Sequence, residues 1–304
     1  MSYIHVGNYV KFARKQKGMS QDALANGILD RSNLTRFENG KQELSKEKID
    51  KLFERLGYST ESLFSHILHD NAFKVSALRD RFTRNIVNED DKTAQQTIFE
   101  MEQNDAFESD IHKQFLLRSK AMVALRREDS ILAKPLLDEA IRITLPMFDE
   151  EKVEKYLLTT EDIEIINMLA AVHFYNNDLE KAIKLLEKLM WNIKTQLVDE
   201  KKKAHSFTLT AYNLSKYLGA TGRYQESLKV CDEAIETGQL QNAYGMLPNL
   251  IYNKAYALFH LGEKDEVSHL MHQAYFGNLV LGREQTAKLV KEYASEKYSV
   301  KIVG

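Results

Sequence analysis

The side chains best suited to recognition chemistry in the first part of the chain lie in the segment RSNLTRFENG, residues 31–40. A helix over this segment buries Leu34 and Phe37 on one side, because they lie three positions apart. Its opposite side and flanks then carry hydroxyl, amide and guanidinium groups, from Arg31, Ser32, Asn33, Thr35, Arg36 and Asn39. Such groups hydrogen-bond to base edges and phosphates in the major groove of DNA. A helix face exposed to solvent would carry the same residues, so the pattern alone leaves both interpretations open.

Capping residues and glycines mark out the helices that would position this segment. An apolar repeat over residues 6–13 predicts a first helix. Ser20 is placed to cap a short second helix over QDALAN, which Gly27 ends because glycine enters the left-handed conformation without a steric penalty. Asp30 is placed to cap a third helix, and Gly40 to end it. The pattern predicts two short helices joined by a tight turn.

The segment SQDALANGILDRSNLTRFENG resembles the helix-turn-helix of the phage-repressor (XRE) type, and LSKEKIDKLFERLGYSTESLF resembles the fourth and fifth helices of that module. The resemblance implies a five-helix, lambda-repressor-like DNA-binding domain over residues 1–66. It also implies that Gln21 contacts the DNA backbone or a base and that Lys41 contacts a phosphate. In such domains the glutamate at the position of Glu38 pairs with an arginine of the first helix, here Arg14, which implies a structural role for both.

Composition favours an all-α protein with more than one part. The chain has 304 residues, which exceeds the usual size of one compact domain, and it contains only 3 prolines and 13 glycines. Its first 66 residues hold 11 lysines and arginines against 8 aspartates and glutamates, which permits nucleic-acid binding there.

The single cysteine, Cys231, excludes an internal disulfide and is predicted to be a core residue. Neither a signal-peptide pattern nor a membrane-spanning apolar run occurs, which predicts a cytoplasmic protein that does not contact a membrane.

After residue 66 the chain reads as successive pairs of amphipathic helices. Five segments recur, namely DDKTAQQTIFEM, DSILAKPLLDEAI, NDLEKAIKLLEKL, GRYQESLKVCDEAI and GEKDEVSHLMHQA. They resemble tetratricopeptide repeats, which implies a right-handed α-solenoid over residues 73–304, after a linker at 67–72. The final segment predicts a capping helix whose apolar side is formed by Ala287, Val290 and Tyr293.

In a solenoid of this kind, the first helix of each pair lines the concave wall. The register of the five segments places basic, aromatic and amide residues there: Arg79, Phe115, Arg118, Met122, Asn167, Phe174, Tyr212, Asn213, Lys216, Asn249, Tyr252, Asn253, Tyr256 and Phe259. Amide side chains carry both a donor and an acceptor, so the asparagines could pair with the backbone of an extended peptide of any sequence. Aromatic side chains would contact the apolar residues of that peptide, and Arg79, Arg118 or Lys216 would bind a carboxylate. For any single aromatic residue, packing between repeats is an equally good explanation.

A helix-turn-helix followed by five degenerate repeats resembles the layout of the Rgg/PlcR-like (RRNPP) regulators, which are receptors for short signalling peptides in Gram-positive bacteria. RSNLTRFENG with ELSKEKIDKLFERLG looks Rgg-like, and IINMLAAVHFYNN with AYNLSKYLGATGRYQESLKVCDEAIE is similar to PlcR-type repeats. By that resemblance Asn167 and Asn213 hold the peptide, whereas the role of Asn253 rests on register alone. The resemblance implies a peptide-controlled transcriptional regulator. Because one recognition helix reads only a few base pairs, we expect a homodimer on paired DNA half-sites.

The sequence lacks the motifs of common catalytic sites, such as a phosphate-binding glycine loop, a metalloprotease motif or a nucleophile elbow. His66 and His69, like His269 and His272, have the spacing of paired metal ligands, but neither pair has further ligands nearby. We therefore expect no enzymatic activity, no metal and no cofactor. The alternative function is a scaffold, in which the repeat domain binds a protein partner rather than a peptide.

Overall fold

The computed structural model describes residues 3–58 and 72–302, and every regular element in these residues is a helix. The chain divides into two compact units, Met1–Asp80 and Arg81–Gly304. The predicted all-α fold is confirmed. The predicted fifth helix, His66, His69 and the predicted linker up to residue 71 lie outside the described residues. Within those residues, no helix has the length and apolar content needed to cross a bilayer.

Four helices form the described part of the N-terminal unit ahead of residue 59: α1 (Tyr3–Gln16), α2 (Gln21–Ala25), α3 (Arg31–Glu38) and α4 (Lys46–Arg55). Their apolar sides meet in one core. Its fully buried members are Val10, Leu24, Leu34, Phe37, Leu52, Phe53 and Leu56. Leu34 and Phe37 therefore point inward, as predicted, and the polar side of α3 points away from the core.

The turn between α2 and α3 agrees with the sequence pattern in most details. The Ser20 hydroxyl accepts a hydrogen bond from the amide N of Ala23 at 3.1 Å, so the predicted cap of α2 is present. Gly27 and Gly40 adopt the expected left-handed conformation, with φ of 72° and 69°. Asp30 occupies the predicted N-cap position of α3, and its backbone carbonyl accepts from the amide N of Leu34 at 3.0 Å, but its carboxylate makes no capping hydrogen bond.

Helices α1 and α3 approach each other closely at Gly7. A Cβ atom at this position would lie 1.9 Å from the carbonyl oxygen of Phe37, a distance that no side chain could occupy. Glycine is therefore required here for backbone contact between the two helices.

The rest of the described chain contains eleven α-helices, and the first of them crosses the boundary between the two units. They are α5 (Ala72–Val87), α6 (Asp91–Glu102), α7 (Asp110–Arg126), α8 (Ser130–Thr144), α9 (Thr160–Tyr175), α10 (Leu179–Gln196), α11 (Glu200–Ala220), α12 (Tyr224–Leu240), α13 (Leu247–Leu261), α14 (Val267–Val280) and α15 (Glu284–Tyr298). Consecutive helices from α7 to α15 pack against each other, and α7, α9, α11 and α13 also touch in series. These four helices form a continuous surface, which we call the wall.

The two helices of each pair are joined by the same backbone feature. One residue in each turn is left-handed, at Glu89, Glu128, Asn177, Gly222 and Gly262. The next residue caps the following helix in three of the turns, where the carboxylates of Asp90, Asp129 and Asp178 each accept a backbone hydrogen bond. A left-handed residue other than glycine costs about 1 kcal/mol. The two glutamates therefore occupy positions where glycine would be less strained.

Small side chains occupy the points where repeat helices meet. The fully buried alanines of this core include Ala133, Ala140, Ala170, Ala182, Ala211 and Ala234. Cys231 is also fully buried among them, and burial raises the pKa of its thiol to about 12. The prediction of a core cysteine is confirmed.

The last helix covers the end of the repeats with a different set of residues from the one predicted. Ala287 and Val290 are buried, as expected. Tyr293 is exposed, and Ala294 and Tyr298 are buried in its place. The buried positions advance by three or four residues at a time, which is the helical period, and Tyr293 falls outside that stripe.

One hydrogen-bonded contact joins the first turn of the repeat unit to its last helix. The carboxylate of Glu89 accepts from the backbone N–H groups of Gln285 and Thr286 at 2.7 and 3.1 Å, and from the Thr286 hydroxyl. Glu89 thus caps the N-terminus of α15, where a negative charge is favourable. This use of the carboxylate offsets the strain at the left-handed position.

Candidate functional sites

A buried ion pair connects the three helices of the helix-turn-helix. Nε and Nη2 of Arg14 in α1 donate to the two carboxylate oxygens of Glu38 in α3, at 2.7 and 2.9 Å. Nη1 of Arg14 donates to the carbonyl oxygen of Met19, and Nε2 of Gln21 in α2 donates to Glu38 at 2.8 Å. The hydrogen bond to Glu38 raises the pKa of Arg14. The pairing that the XRE resemblance implied for Arg14 and Glu38 is thus present.

The residues predicted to contact DNA lie on or beside the outer side of α3. Those that are exposed are Arg31, Ser32, Arg36, Asn39 and Lys41, and those that are half-buried are Gln21, Asn33 and Thr35. Within the described part of the chain, Ser32, Asn33, Arg36 and Lys41 have no side-chain hydrogen bond or ion pair. These four side chains are available to an external partner.

The remaining residues of this face are oriented by neighbours. The Thr35 hydroxyl donates to Oε1 of Gln21 at 3.2 Å and to the carbonyl oxygen of Arg31 at 2.9 Å. Lys11 in α1 donates to Oδ1 of Asn39 at 2.8 Å. Arg31 forms an exposed ion pair with Asp22 at 3.3 Å. The face is therefore a mixture of free and pre-positioned polar groups.

The asparagines of the wall are used first to join its helices. Nδ2 of Asn167 in α9 donates to the carbonyl oxygen of Ile163 at 2.9 Å and to the hydroxyl of Thr210 in α11 at 3.0 Å. Its Oδ1 accepts from Nδ2 of Asn213 at 3.0 Å. Asn167 is 2% exposed, and both its amide hydrogens are used within the protein. Asn213 is half-buried, and among the described residues its Oδ1 has no partner.

Asn253 repeats this arrangement one helix further along. From α13 its Nδ2 donates to the carbonyl oxygen of Tyr212 and to the hydroxyl of Ser215, at 3.1 and 2.9 Å. Both acceptors lie in α11. Asn253 is buried as well, so of the three asparagines predicted to hold a peptide backbone, Asn213 is the one with an accessible acceptor.

Arg118 has two carboxylate partners inside the repeat unit. Its guanidinium pairs with Glu161 and, at 2.6 Å, with Glu164, both in the next wall helix. Burial opposes the charge, but the two glutamates raise the pKa of Arg118 above its ordinary value. The ring of Phe115 lies 4.9 Å from this guanidinium and is itself buried against Phe82. Phe115 and Arg118 thus contribute to the packing of α7.

A cavity of about 200 Å³ opens on the wall between α9, α11 and α13. Five of the residues predicted to contact a peptide line it, namely Phe174, Lys216, Tyr252, Asn253 and Tyr256, together with Ser215 and Ala220. The volume is below that of a typical small-molecule pocket. It suits one or two side chains of a larger ligand.

Lys216 lines this cavity, and Tyr212, which does not line it, interacts electrostatically with Tyr175 and Arg283, which do not line it either. Lys216 lies with its Nζ 5.0 Å from the ring centre of Phe174, and surrounding protein lowers the pKa of this lysine while Glu128 opposes the shift. Burial raises the pKa of Tyr212, as does neighbouring Tyr175, whereas Arg283 lowers it. Among the described residues no carboxylate lies at ion-pair distance from Lys216, so its ammonium is open to an anion.

The other predicted wall residues occupy varied positions. Arg79 is half-buried on the part of α5 that belongs to the N-terminal unit. Met122 packs at the edge of the main core, and Asn249 is half-buried near the start of α13. The ring of Phe259 packs edge-on against Tyr298 of α15 at 4.7 Å. Inter-helix packing, the alternative raised for the aromatics, thus describes Phe259.

The structure adds three residues that sequence register did not identify. Ser215 lines the cavity and accepts from Asn253, and Glu128 and Arg283 act electrostatically on Lys216 and Tyr212. Glu128 and Arg283 lie in turns or at the start of α15, so a search confined to the first helix of each pair misses them. Sequence register gave no signal for Glu128, because its left-handed conformation is a property of the folded turn.

Comparisons with known proteins give the same two-part division. The helix-turn-helix family matches residues 10–63, and the RNPP family C-terminal domain matches residues 88–298. No curated protein sequence matches the chain significantly.

Among solved structures, the chain is similar to Bacillus thuringiensis PlcR in complex with the peptide PapR7 and DNA, with 20% identity, a TM-score of 0.71, and 94% of this chain and 99% of PlcR covered. It is similar to S. thermophilus ComR in complex with DNA and its signalling peptide ComS, with 18% identity, a TM-score of 0.53, and coverage of 94% and 97%. It is also similar to the Streptococcus dysgalactiae SHP pheromone receptor Rgg2, with 15% identity, a TM-score of 0.55, and coverage of 95% and 99%. These likenesses confirm the fold, a helix-turn-helix followed by a helical repeat domain. Because the RNPP domain alone spans more than half of the chain, behind a matching helix-turn-helix, the protein belongs to the RNPP family of regulators.

Proposed function

We propose that this protein is a transcriptional regulator that binds paired DNA half-sites through α3 and is controlled by a short signalling peptide bound to the wall. The observation that carries the proposal is the wall cavity, which collects five predicted peptide contacts from three separate helices. The solved complexes of PlcR with PapR7 and DNA, and of ComR with ComS and DNA, support it by similarity of fold.

The residues predicted from register to contact the peptide do not all have the same role in this proposal. Asn213 offers a free amide oxygen to the backbone of the peptide, and Phe174, Tyr252 and Tyr256 offer apolar surface to its side chains. Asn167 acts through Asn213, since it holds the amide of that residue in place. Asn253 shapes the cavity from a buried position.

On the DNA side, Arg36 is the strongest candidate for a base or phosphate contact. It is exposed on α3 and has no partner in the described residues. The buried Arg14–Glu38 pair fixes the helix that carries it. A single helix reads few base pairs, so we propose a homodimer that acts where its DNA lies, in the cytoplasm.

The test has a DNA part and a peptide part. Binding sites are selected from a pool of random duplexes, and affinity for the selected site is then measured for Arg36→Ala and for Lys229→Ala, which removes one exposed charge from the repeat unit. We expect Arg36→Ala to weaken binding about tenfold or more, and Lys229→Ala to have little effect.

Synthetic short peptides of random sequence are then screened for any that change this DNA affinity. Sequence-specific DNA binding that responds to none of them would contradict peptide control and favour the scaffold alternative. If the wild-type protein bound no DNA sequence specifically, the proposal that it is a transcriptional regulator would be contradicted.

A further inference from the structure

Lys216 is a cation of the wall without an anionic partner. It lies in α11, projects into the cavity beside Phe174, and makes no ion pair or hydrogen bond with any described residue. Glu128, whose charge acts on it, lies beyond ion-pair distance.

The other cations near the wall each have at least one partner in the protein. Arg118 binds Glu161 and Glu164, Lys254 binds Asp232 at 2.6 Å, and Arg283 donates to the carbonyl oxygen of Gly245 at 2.7 Å. Lys216 therefore differs from its neighbours in having three free donor hydrogens at the edge of an open cavity.

The environment of Lys216 strengthens its attraction for an anion. Lys216 is exposed overall, but Phe174, Tyr252 and Tyr256 line the cavity beside it, and an ion pair gains strength where apolar groups partly exclude water. The ring of Phe174 interacts with the cation at 5.0 Å but cannot replace a hydrogen-bond acceptor. A carboxylate supplies both the charge and the acceptor atoms that the site lacks.

We propose that Lys216 selects peptides that place a carboxylate next to an apolar or aromatic side chain, the carboxylate binding the ammonium and the side chain entering the cavity of Phe174, Tyr252 and Tyr256. This inference rests on the proposed peptide control and specifies which peptides the receptor accepts. The carboxylate is supplied either by the C-terminus of the peptide or by an aspartate or glutamate side chain.

The experiment uses the full-length protein and a pool of random short peptides with free C-termini. Peptides that bind the wild-type protein are sequenced and resynthesised in two neutral forms, one with an amidated C-terminus and one with Asn or Gln in place of Asp or Glu. Affinities are measured for the wild type, Lys216→Met and Lys216→Arg. Lys297→Met is the matched control, because Lys297 lies 4.7 Å from the ring of Tyr293 on the exposed side of α15.

We expect one of the two neutral forms to bind the wild type about tenfold more weakly, which identifies the source of the carboxylate. Lys216→Met should lose the same factor with the charged peptide and nothing further with the neutral one, because the two changes remove one interaction. Lys216→Arg should retain most of the affinity, and Lys297→Met all of it.

The assignment of Lys216 would be overturned if the wild type and Lys216→Met bound the charged peptide with equal affinity. It would also be overturned if the loss from Lys216→Met and the loss from the neutral peptide multiplied when combined. Either result would leave peptide control intact. Failure of the wild-type protein to bind any peptide in the pool would instead contradict the proposed function, and the role of Lys216 with it.

Discussion

The helix-turn-helix and the wall use polar side chains in opposite ways. In the former, one buried pair, Arg14 with Glu38, orders three helices, and the exposed side of α3 keeps free residues such as Arg36. In the wall, residues that looked like ligand contacts, such as Asn167 and Arg118, join neighbouring helices instead. In the first region the buried ion pair and the free residues of α3 are different side chains, with Gln21 the link between them, whereas in the second region support and recognition share the same surface.

The largest effect that would test this separation is expected from Arg14→Met. The substitution leaves the Glu38 carboxylate buried without its cation, which costs about 3–5 kcal/mol in the free energy of unfolding. Hydrogen exchange measured by mass spectrometry should rise throughout α1–α3 and stay unchanged in α9 and α11, since the pair belongs to the N-terminal unit alone.

Lys46→Met provides the control for this change. Its ion pair with Asp50 lies at the surface of α4, so the loss should be less than about 1 kcal/mol. Similar exchange in the two variants would show that the Arg14–Glu38 pair does not hold the motif together.

A smaller effect is expected within the wall. Comparing substitutions at the neighbouring residues Asn167 and Asn213 should separate a structural role from a role in peptide binding. Asn167→Ala removes the hydrogen bonds to Ile163 within α9 and to Thr210 in α11, and should destabilise the repeat unit by about 2 kcal/mol, measured by chemical denaturation. Asn213→Ala should cost less than about 1 kcal/mol but weaken peptide binding, because its Oδ1 faces outward.

The wall would need a different interpretation if Asn213→Ala proved as destabilising as Asn167→Ala, because Asn213 would then be structural too. Unchanged peptide affinity in Asn213→Ala would argue that the backbone of the peptide is held elsewhere.

The smallest effect is expected at Glu89, whose carboxylate caps the N-terminus of α15. Glu89→Gln keeps the shape of the side chain but removes the charge at the N-terminus of α15, which should cost about 1 kcal/mol. Exchange at the amides of Gln285 and Thr286 is the local measurement. Glu128→Gln is the control, because Glu128 has the equivalent left-handed conformation but does not cap α15, and this variant should leave those amides protected. Faster exchange in both variants would show that the Glu89 carboxylate has no specific role in capping α15.

The sequence predicted the N-terminal motif in residue-level detail. Ser20, Gly27 and Gly40 mark helix ends through local backbone chemistry, and the buried side of α3 follows from the spacing of Leu34 and Phe37. The sequence also located the N-cap of α3 at Asp30, but a capping residue type at the right position does not determine where its side chain points, and its carboxylate makes no capping hydrogen bond.

Prediction of the wall was less complete, since register tells which residues face a surface but not what each touches there. It placed Phe174, Lys216 and Tyr252 together, and the structure gathers them at one cavity. It could not tell that Asn167 is satisfied by Thr210, from a helix 43 positions further on. It also placed Tyr293 in the buried stripe of α15, where Tyr298 lies instead.

By itself, the sequence determined the helical class, the two-part layout and the ends of the recognition helices, because these depend on contacts between residues only a few positions apart. Which polar residues of the wall remain available to a ligand was decided only by the tertiary structure. Hydrogen bonds between α7, α9, α11 and α13 consume the donors of Arg118, Asn167 and Asn253, and they leave the Asn213 oxygen and the Lys216 ammonium open. Hydrogen-bond capacity is limited, so the partners that packing brings near determine what is left for recognition.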